Sequence, residues 1–226
     1  SEMCIRDSFE DEHVLVIDKP AGMPVHPSQG HYENTLANGI AWYYRNEETP
    51  FVFRAVNRLD RDTSGLVLLA KNPYSSCILS EAVKDHAIHR EYAAIVSGKT
   101  ADSGTIDLPI ARKDGSTIER VCDPERGDAA VTHYQTIAYN KDADLSFIRL
   151  LLETGRTHQI RVHMKAIGHP LPGDFLYCPD YRLIDRQPLH SIYLSFSHPV
   201  TGKKLEFSAP LPQDMRNLFP DIKNPE

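Results

Sequence analysis

The order of patterned segments predicts an α+β fold, and three observations carry that prediction. Most apolar runs have strand length, are rich in branched aliphatics and end at glycine, proline, asparagine or aspartate. They come in antiparallel-looking pairs, as in Ala129–Tyr139 and Leu145–Thr154 around the polar loop 140–144. Only a few stretches have helical spacing between them, which disfavours a doubly wound parallel sheet.

Taken in order, Val14–Ile17 reads as a strand closed by Asp18-Lys19-Pro20-Ala21-Gly22, where proline and glycine enforce a turn. Leu36, Ile40 and Tyr43 recur at helical spacing after Asn34-Thr35 and predict a helix despite Gly39. Leu66–Ala70 is a five-residue apolar run expected to be a buried strand. Asn72-Pro73 supplies a cap and a first-turn proline for a helix whose apolar face is Ile78, Leu79, Ala82 and Val83. Glu91–Val96 reads as a strand with Tyr92 near its start, and Lys113-Asp114-Gly115-Ser116 as a hairpin turn. A helix over about 157–167 places Ile160, Met164 and Ile167 on one face and His158, Arg161 and Lys165 on a second, basic one. Leu189–Phe196 and Leu205–Ser208 are the last strands, followed by a short helix over 212–218.

The 226 residues, 41% hydrophobic and 25% charged, suit a soluble globular protein with a substantial core. No apolar run approaches the roughly 18–20 residues that span a bilayer, and the acidic N-terminus does not resemble a signal peptide. A cytoplasmic location is therefore expected. Cys4, Cys77, Cys122 and Cys178 are far apart and are read as reduced thiols. Residues 1–10 are taken as an N-terminal extension, disordered or introduced by cloning, and residues 11–226 as one domain. A net charge of −6 argues against nucleic-acid binding only until its distribution is considered. Between Gly155 and His169 stand Arg156, Arg161, Lys165 and three histidines with no acid.

The richest stretch is Asn57–Asn72, in which Arg58-Leu59-Asp60-Arg61-Asp62 leads through Thr63-Ser64-Gly65 into the apolar run. Arginines on both sides of Asp60 in sequence favour its ionised form, which serves a nucleophile or a base. The alternative is a surface turn in which Asp62, Thr63 and Ser64 bond to nearby backbone.

This stretch resembles the Arg-Leu-Asp-x-x-Thr-Ser-Gly-Leu signature of the RluA-type pseudouridine synthases. Four more segments agree in order: Asp18–His26, Arg90-Glu91-Tyr92, Thr154–His163, and Gly168-His169-Pro170 followed by Gly173-Asp174. The resemblance spans about Val14 to Gln213 and implies a mixed, bent sheet with the active cleft across it. It implies an RNA uridine isomerase acting on structured RNA, ribosomal or transfer, on a flipped-out nucleotide. The same resemblance carries Asp60 to the catalytic nucleophile or base, Arg161 to a paired active-site arginine with Arg156 as fallback, and Tyr92 to the active-site tyrosine. It suggests Arg58 as the side chain that fills the vacated space in the RNA.

Arg156, His158, Lys165 and Asn57 complete the expected substrate-binding set. The isomerisation involves no net oxidation and no added group, so no cofactor and no metal are expected; the chain has neither Gly-x-Gly-x-x-Gly nor Gly-x-x-x-x-Gly-Lys. Asn57 departs from the family's usual histidine and cannot carry a titrating proton. Pro172 and Cys178 are also less usual choices. No S4 domain is expected ahead of the motifs, and RNA contact is expected from the catalytic domain itself, as a monomer without an obligate protein partner. Two other classes compete: an RNA-binding or chaperone module without catalysis, which would not need Asp60 or Arg161, and a metal-dependent hydrolase using His158, His163 and His169. The second lacks an acidic partner and has the wrong His-x-x-x-x-His spacing.

Overall fold

The computed structural model describes residues 6–27, 32–46 and 51–222. In chain order its elements are β1 (Arg6–Glu10), β2 (Val14–Lys19), α1 (Leu36–Tyr43), β3 (Ser64–Ala70), α2 (Pro73–Lys84), β4 (His89–Ser97), β5 (Ser103–Asp107), β6 (Ile110–Arg112), β7 (Arg120–Cys122), β8 (Val131–Asn140), β9 (Leu145–Leu152), α3 (Gln159–Ala166), β10 (Leu189–Ser197), β11 (Lys204–Ser208) and α4 (Gln213–Leu218). This is the expected α+β fold. The chain divides into two compact units: the described residues up to Arg90 with Ser191–Pro210, and Glu91–His190 with 211–222.

In the first unit the strand order is β1-β2-β3-β10, with β11 on β10. β2 and β3 run antiparallel, Val14 opposite Ala70 and Lys19 opposite Gly65. Every residue of β3 is buried. Successive side chains point to opposite faces, so burial of both faces demands an unbroken apolar run, which Leu66–Ala70 supplies. Val14, Val16, Leu66, Leu68 and Ala70 pack with Leu79 of α2 and with Leu194 and Phe196 of β10. Asn72 caps α2, its Oδ1 accepting from the Ser75 N–H at 2.9 Å, with Pro73 in the first turn. Ile78, expected on the apolar face, lies at its rim and is exposed, whereas Leu79 is fully buried, worth about 1.5–3 kcal/mol. Tyr43 of α1 is likewise exposed, and the helix is anchored by Leu36 and Ile40.

Residues 6–10, set aside above as extension, form edge strand β1 antiparallel to β2. Glu10 holds it in place, accepting from Lys71 Nζ at 2.6 Å and from the Tyr43 and Tyr44 hydroxyls.

In the second unit the order is β4-β9-β8-β5, every pairing antiparallel, with Tyr92 opposite Leu150 and a bulge in β8 between Thr136 and Ala138. β6 and β7 form a separate ribbon. Its loop carries the predicted turn, in which the Ser116 N–H donates to the Lys113 carbonyl at 3.1 Å and Gly115 takes φ +74°. Ile110, Ala130, Val162 of α3 and Tyr177 form a small core beneath the ribbon.

Candidate active site

Asp60 lies half-buried in a turn directly ahead of β3, closed by the Thr63 N–H donating to the Asp60 carbonyl at 3.2 Å. Two features within the first unit fix that turn. Gly65 adopts φ +106°, and a Cβ there would stand 2.3 Å from the Ser191 carbonyl oxygen, so only glycine permits this approach of β3 to β10. Lys19, at the end of β2, is fully buried, and its ammonium donates to the carbonyls of Pro20 at 2.9 Å, Met23 at 2.8 Å and Arg61 at 3.0 Å. A buried cation is tolerated only where its donors are met. Here they are met by a clamp joining the Pro20–Met23 segment to the residue after Asp60. The two residues after that segment seat α1, whose Leu36 and Ala37 N–H groups donate to the carbonyls of Pro24 and Val25.

Two expectations change around this turn. Asn57, placed above among the substrate-binding residues, is buried, and β3 uses both ends of its amide. Its Nδ2 donates to the Leu66 carbonyl at 3.2 Å and its Oδ1 accepts from the Leu68 N–H at 2.7 Å. Asn57 therefore holds the incoming chain to β3. Arg61, expected to flank Asp60 as a counter-charge, forms a fork with Asp62, Nε to Oδ1 at 2.9 Å and Nη2 to Oδ2 at 2.8 Å. Arg58 is exposed. Partial desolvation, helped by the Arg58 charge, holds His26 below the usual imidazole range, and the His26 ring meets Phe53 edge-on at 4.9 Å.

In the second unit Arg161 occupies the first turn of α3 and is 1% exposed. Its partner within the unit is Asp174, which is wholly buried: Nε to Oδ2 measures 2.6 Å and Nη2 to Oδ1 2.8 Å. Asp174 Oδ1 also accepts from the N–H groups of Leu176 and Tyr177. Gly173 makes its position possible, since at φ +74° a Cβ would lie 2.5 Å from the Ile184 carbonyl oxygen. The basic face predicted for α3 is therefore divided. Arg161 points into the core, and only Lys165 is exposed, its Nζ 5.4 Å from the centre of the Tyr177 ring.

The Arg161 guanidinium stands 5.0 Å from the centre of the Tyr177 ring. The Tyr177 hydroxyl accepts from the Arg120 N–H at 2.9 Å and shares a 2.9 Å hydrogen bond with His158 Nδ1. Burial pushes this phenol up to about 12, against the pull of the Arg120 N–H and Arg161, so it stays neutral. His158 precedes the helix in the left-handed conformation, φ 59°, which moves the start of α3 to Gln159.

Gln159 ties the helix to the sheet. Its Nε2 donates to the Val131 carbonyl and Thr132 Oγ1, and its Oε1 accepts from Thr154 Oγ1 and the Arg156 N–H. Arg156 is exposed, with Nε donating to the Ala129 carbonyl at 3.0 Å. Tyr92 is buried in β4 at 5% exposure. The three histidines of the hydrolase alternative are engaged apart from one another. His158 is on Tyr177, His163 lies between Thr132 Oγ1 and the Leu108 carbonyl at 2.9 Å each, and His169 is on the Ser97 carbonyl at 2.8 Å.

Lys19, Asp174 and Tyr177 were not singled out for the site. Lys19 and Asp174 stand in the motif segments Asp18–His26 and Gly173-Asp174 without a role, and Tyr177 lies three residues beyond the second.

Fold and motif geometry together define a class, the pseudouridine synthase domain. The human RNA pseudouridylate synthase domain containing 1 has the same fold at TM-score 0.77 and 24% identity, over 93% of this chain and 84% of that one. The RNA pseudouridylate synthase family model matches residues 13–166. An uncharacterised RNA pseudouridine synthase of Bacillus subtilis, YjbO, is 48% identical over 212 residues, 93% of this chain and 74% of the relative. Ribosomal large subunit pseudouridine synthase D of Zymomonas mobilis is 43% identical over 228 residues, 93% of this chain and 70% of the relative. The chain belongs to the RNA pseudouridylate synthase family and is an isomerase acting on RNA.

Proposed function

We propose that this chain converts uridines of structured RNA, ribosomal or transfer, into pseudouridine, with Asp60 as nucleophile or base on a flipped-out nucleotide. The base must leave C1′ through N1 and return through C5. That requires a carboxylate next to the sugar or C6 and a way of excluding water, rather than an added group. The observation that carries the reading is the fixing of the Asp60 turn by the Lys19 clamp and by the glycine-only contact of Gly65 with Ser191. A catalytic group held by packing and buried hydrogen bonds arrives already oriented, so less ordering is left for the reacting state.

In this reading Arg161 supplies the counter-charge that an ionised carboxylate needs when water is excluded, and the Asp174 fork sets its plane. Tyr92 offers its ring to the uracil. Exposed Arg58 takes the place of the everted base in the stem, and Arg156, His158 and Lys165 contact the phosphate backbone. Of the two RNA classes, ribosomal RNA has the better support, because relatives named for the ribosomal large subunit are 43% and 39% identical. A map of pseudouridines in cellular RNA with and without this protein tests the proposal. At least one ribosomal site should disappear in its absence, and identical maps would contradict the reading.

A further inference from the structure

Thr63 is 2% exposed, and its Oγ1 has no hydrogen-bond partner among the described residues. Thr63 shares this state with Ser75 Oγ and Ser191 Oγ, whereas Thr132 Oγ1 accepts from Gln159 Nε2, Ser146 Oγ donates to the Gly98 carbonyl at 2.7 Å, and Thr35 Oγ1 meets Asn38. Burying a hydroxyl without a partner costs stability, and valine would fill the same volume without that cost. An orphaned hydroxyl at such a position therefore calls for an explanation outside the resting fold.

Its location supplies one. Thr63 closes the turn that Asp60 opens, since its N–H donates to the Asp60 carbonyl at 3.2 Å. The next residues are tightly packed: Ser64 is buried, and Gly65 is pressed against the Ser191 backbone. Thr63 thus stands on tightly packed backbone, three residues from the carboxylate whose orientation the proposed chemistry depends on.

We infer that Thr63 is a positioning residue for Asp60. In the substrate-loaded enzyme its hydroxyl donates to an Asp60 carboxylate oxygen and fixes the rotamer that is presented to the nucleotide. The inference deepens the proposed function and rests on Asp60 being the reacting carboxylate.

The test uses ribosomal and transfer RNA transcripts labelled with tritium at uridine C5, since forming the new bond at C5 releases that hydrogen. Thr63→Val should lower the single-turnover rate about tenfold to a hundredfold, the range expected for a hydrogen bond to a charged group, with KM unchanged. Its melting temperature should equal or exceed that of the wild type, and Thr63→Ser should restore the rate. Ser75→Ala deletes another buried hydroxyl without a partner among the described residues, and should leave the rate unchanged. Asp60→Asn is run alongside. If Asp60→Asn is inactive while Thr63→Val matches the wild type, the inference is overturned and the proposed function stands. A loss in Thr63→Val that Thr63→Ser does not restore also overturns it, and an active Asp60→Asn removes the reading beneath it.

Discussion

Replacing Asp174 with asparagine keeps the shape of the buried fork and removes its charge. Arg161 and Asp174 are 1% and 0% exposed, so solvent does not screen their attraction, and the usual discount for surface pairs does not apply. Removing one member of such a pair leaves the other charged and buried, which costs about 3–5 kcal/mol. Asparagine cannot be oriented to serve all of Arg161 Nε, Arg161 Nη2 and the N–H groups of Leu176 and Tyr177, because one end of its amide is a donor. For a chain of this length that loss corresponds to a melting temperature lowered by about 6–20 °C.

Calorimetry or urea denaturation on Asp174→Asn, Arg161→Met and the double variant forms a cycle. The double variant should be less destabilised than the sum of the singles, because no charge is then left unpaired. Turnover should fall in every variant, and at temperatures well below each melting point, because Arg161 is lost or no longer oriented. A stable Asp174→Asn with wild-type turnover would refute both the energetic and the positioning role of the fork.

Lys19→Met should cost about 3–5 kcal/mol, since three carbonyls lose their donor, and should lower the turnover rate more than RNA affinity by loosening the Asp60 turn. Denaturation and filter binding separate the two effects, and an unchanged rate would show that the clamp does not serve the turn. His163 is held below the usual imidazole range by burial, partly offset by its bond to the Leu108 carbonyl. The unfolded chain therefore takes up this proton first as pH falls. The native preference for neutral His163 costs stability progressively from about pH 6.5 down to the lower folded value, and nothing further is lost below it. The melting temperature of His163→Gln should depend less on pH than that of the wild type across pH 5–7, and parallel curves would contradict the assignment.

Segments whose environment is set locally were legible in the sequence. Unbroken aliphatics gave β3, the Asn-Pro pair gave the start of α2, and Asp-Gly gave the β6–β7 turn. Charged residues that pair at long range were misjudged. Helical periodicity puts Arg161 on a polar face beside His158 and Lys165, and only the appearance of Asp174 thirteen residues on, placed by Gly173, turns Arg161 inward. Lys19 looked like the polar end of a strand because its acceptors are backbone carbonyls, which carry no residue signature. β1 was missed for a related reason: Arg-Asp-Ser-Phe-Glu has no apolar run, and its pairing comes from the free edge of β2 with Glu10 bound to Lys71. Asn57 showed its departure from the family's histidine, but not that both ends of its amide are used by β3.

Catalysis as proposed turns on the carboxylate at position 60. Purified Asp60→Asn, checked for native folding by its melting curve, should release no tritium above background from C5-labelled transcripts while still binding them. Wild-type release by that variant would contradict the account.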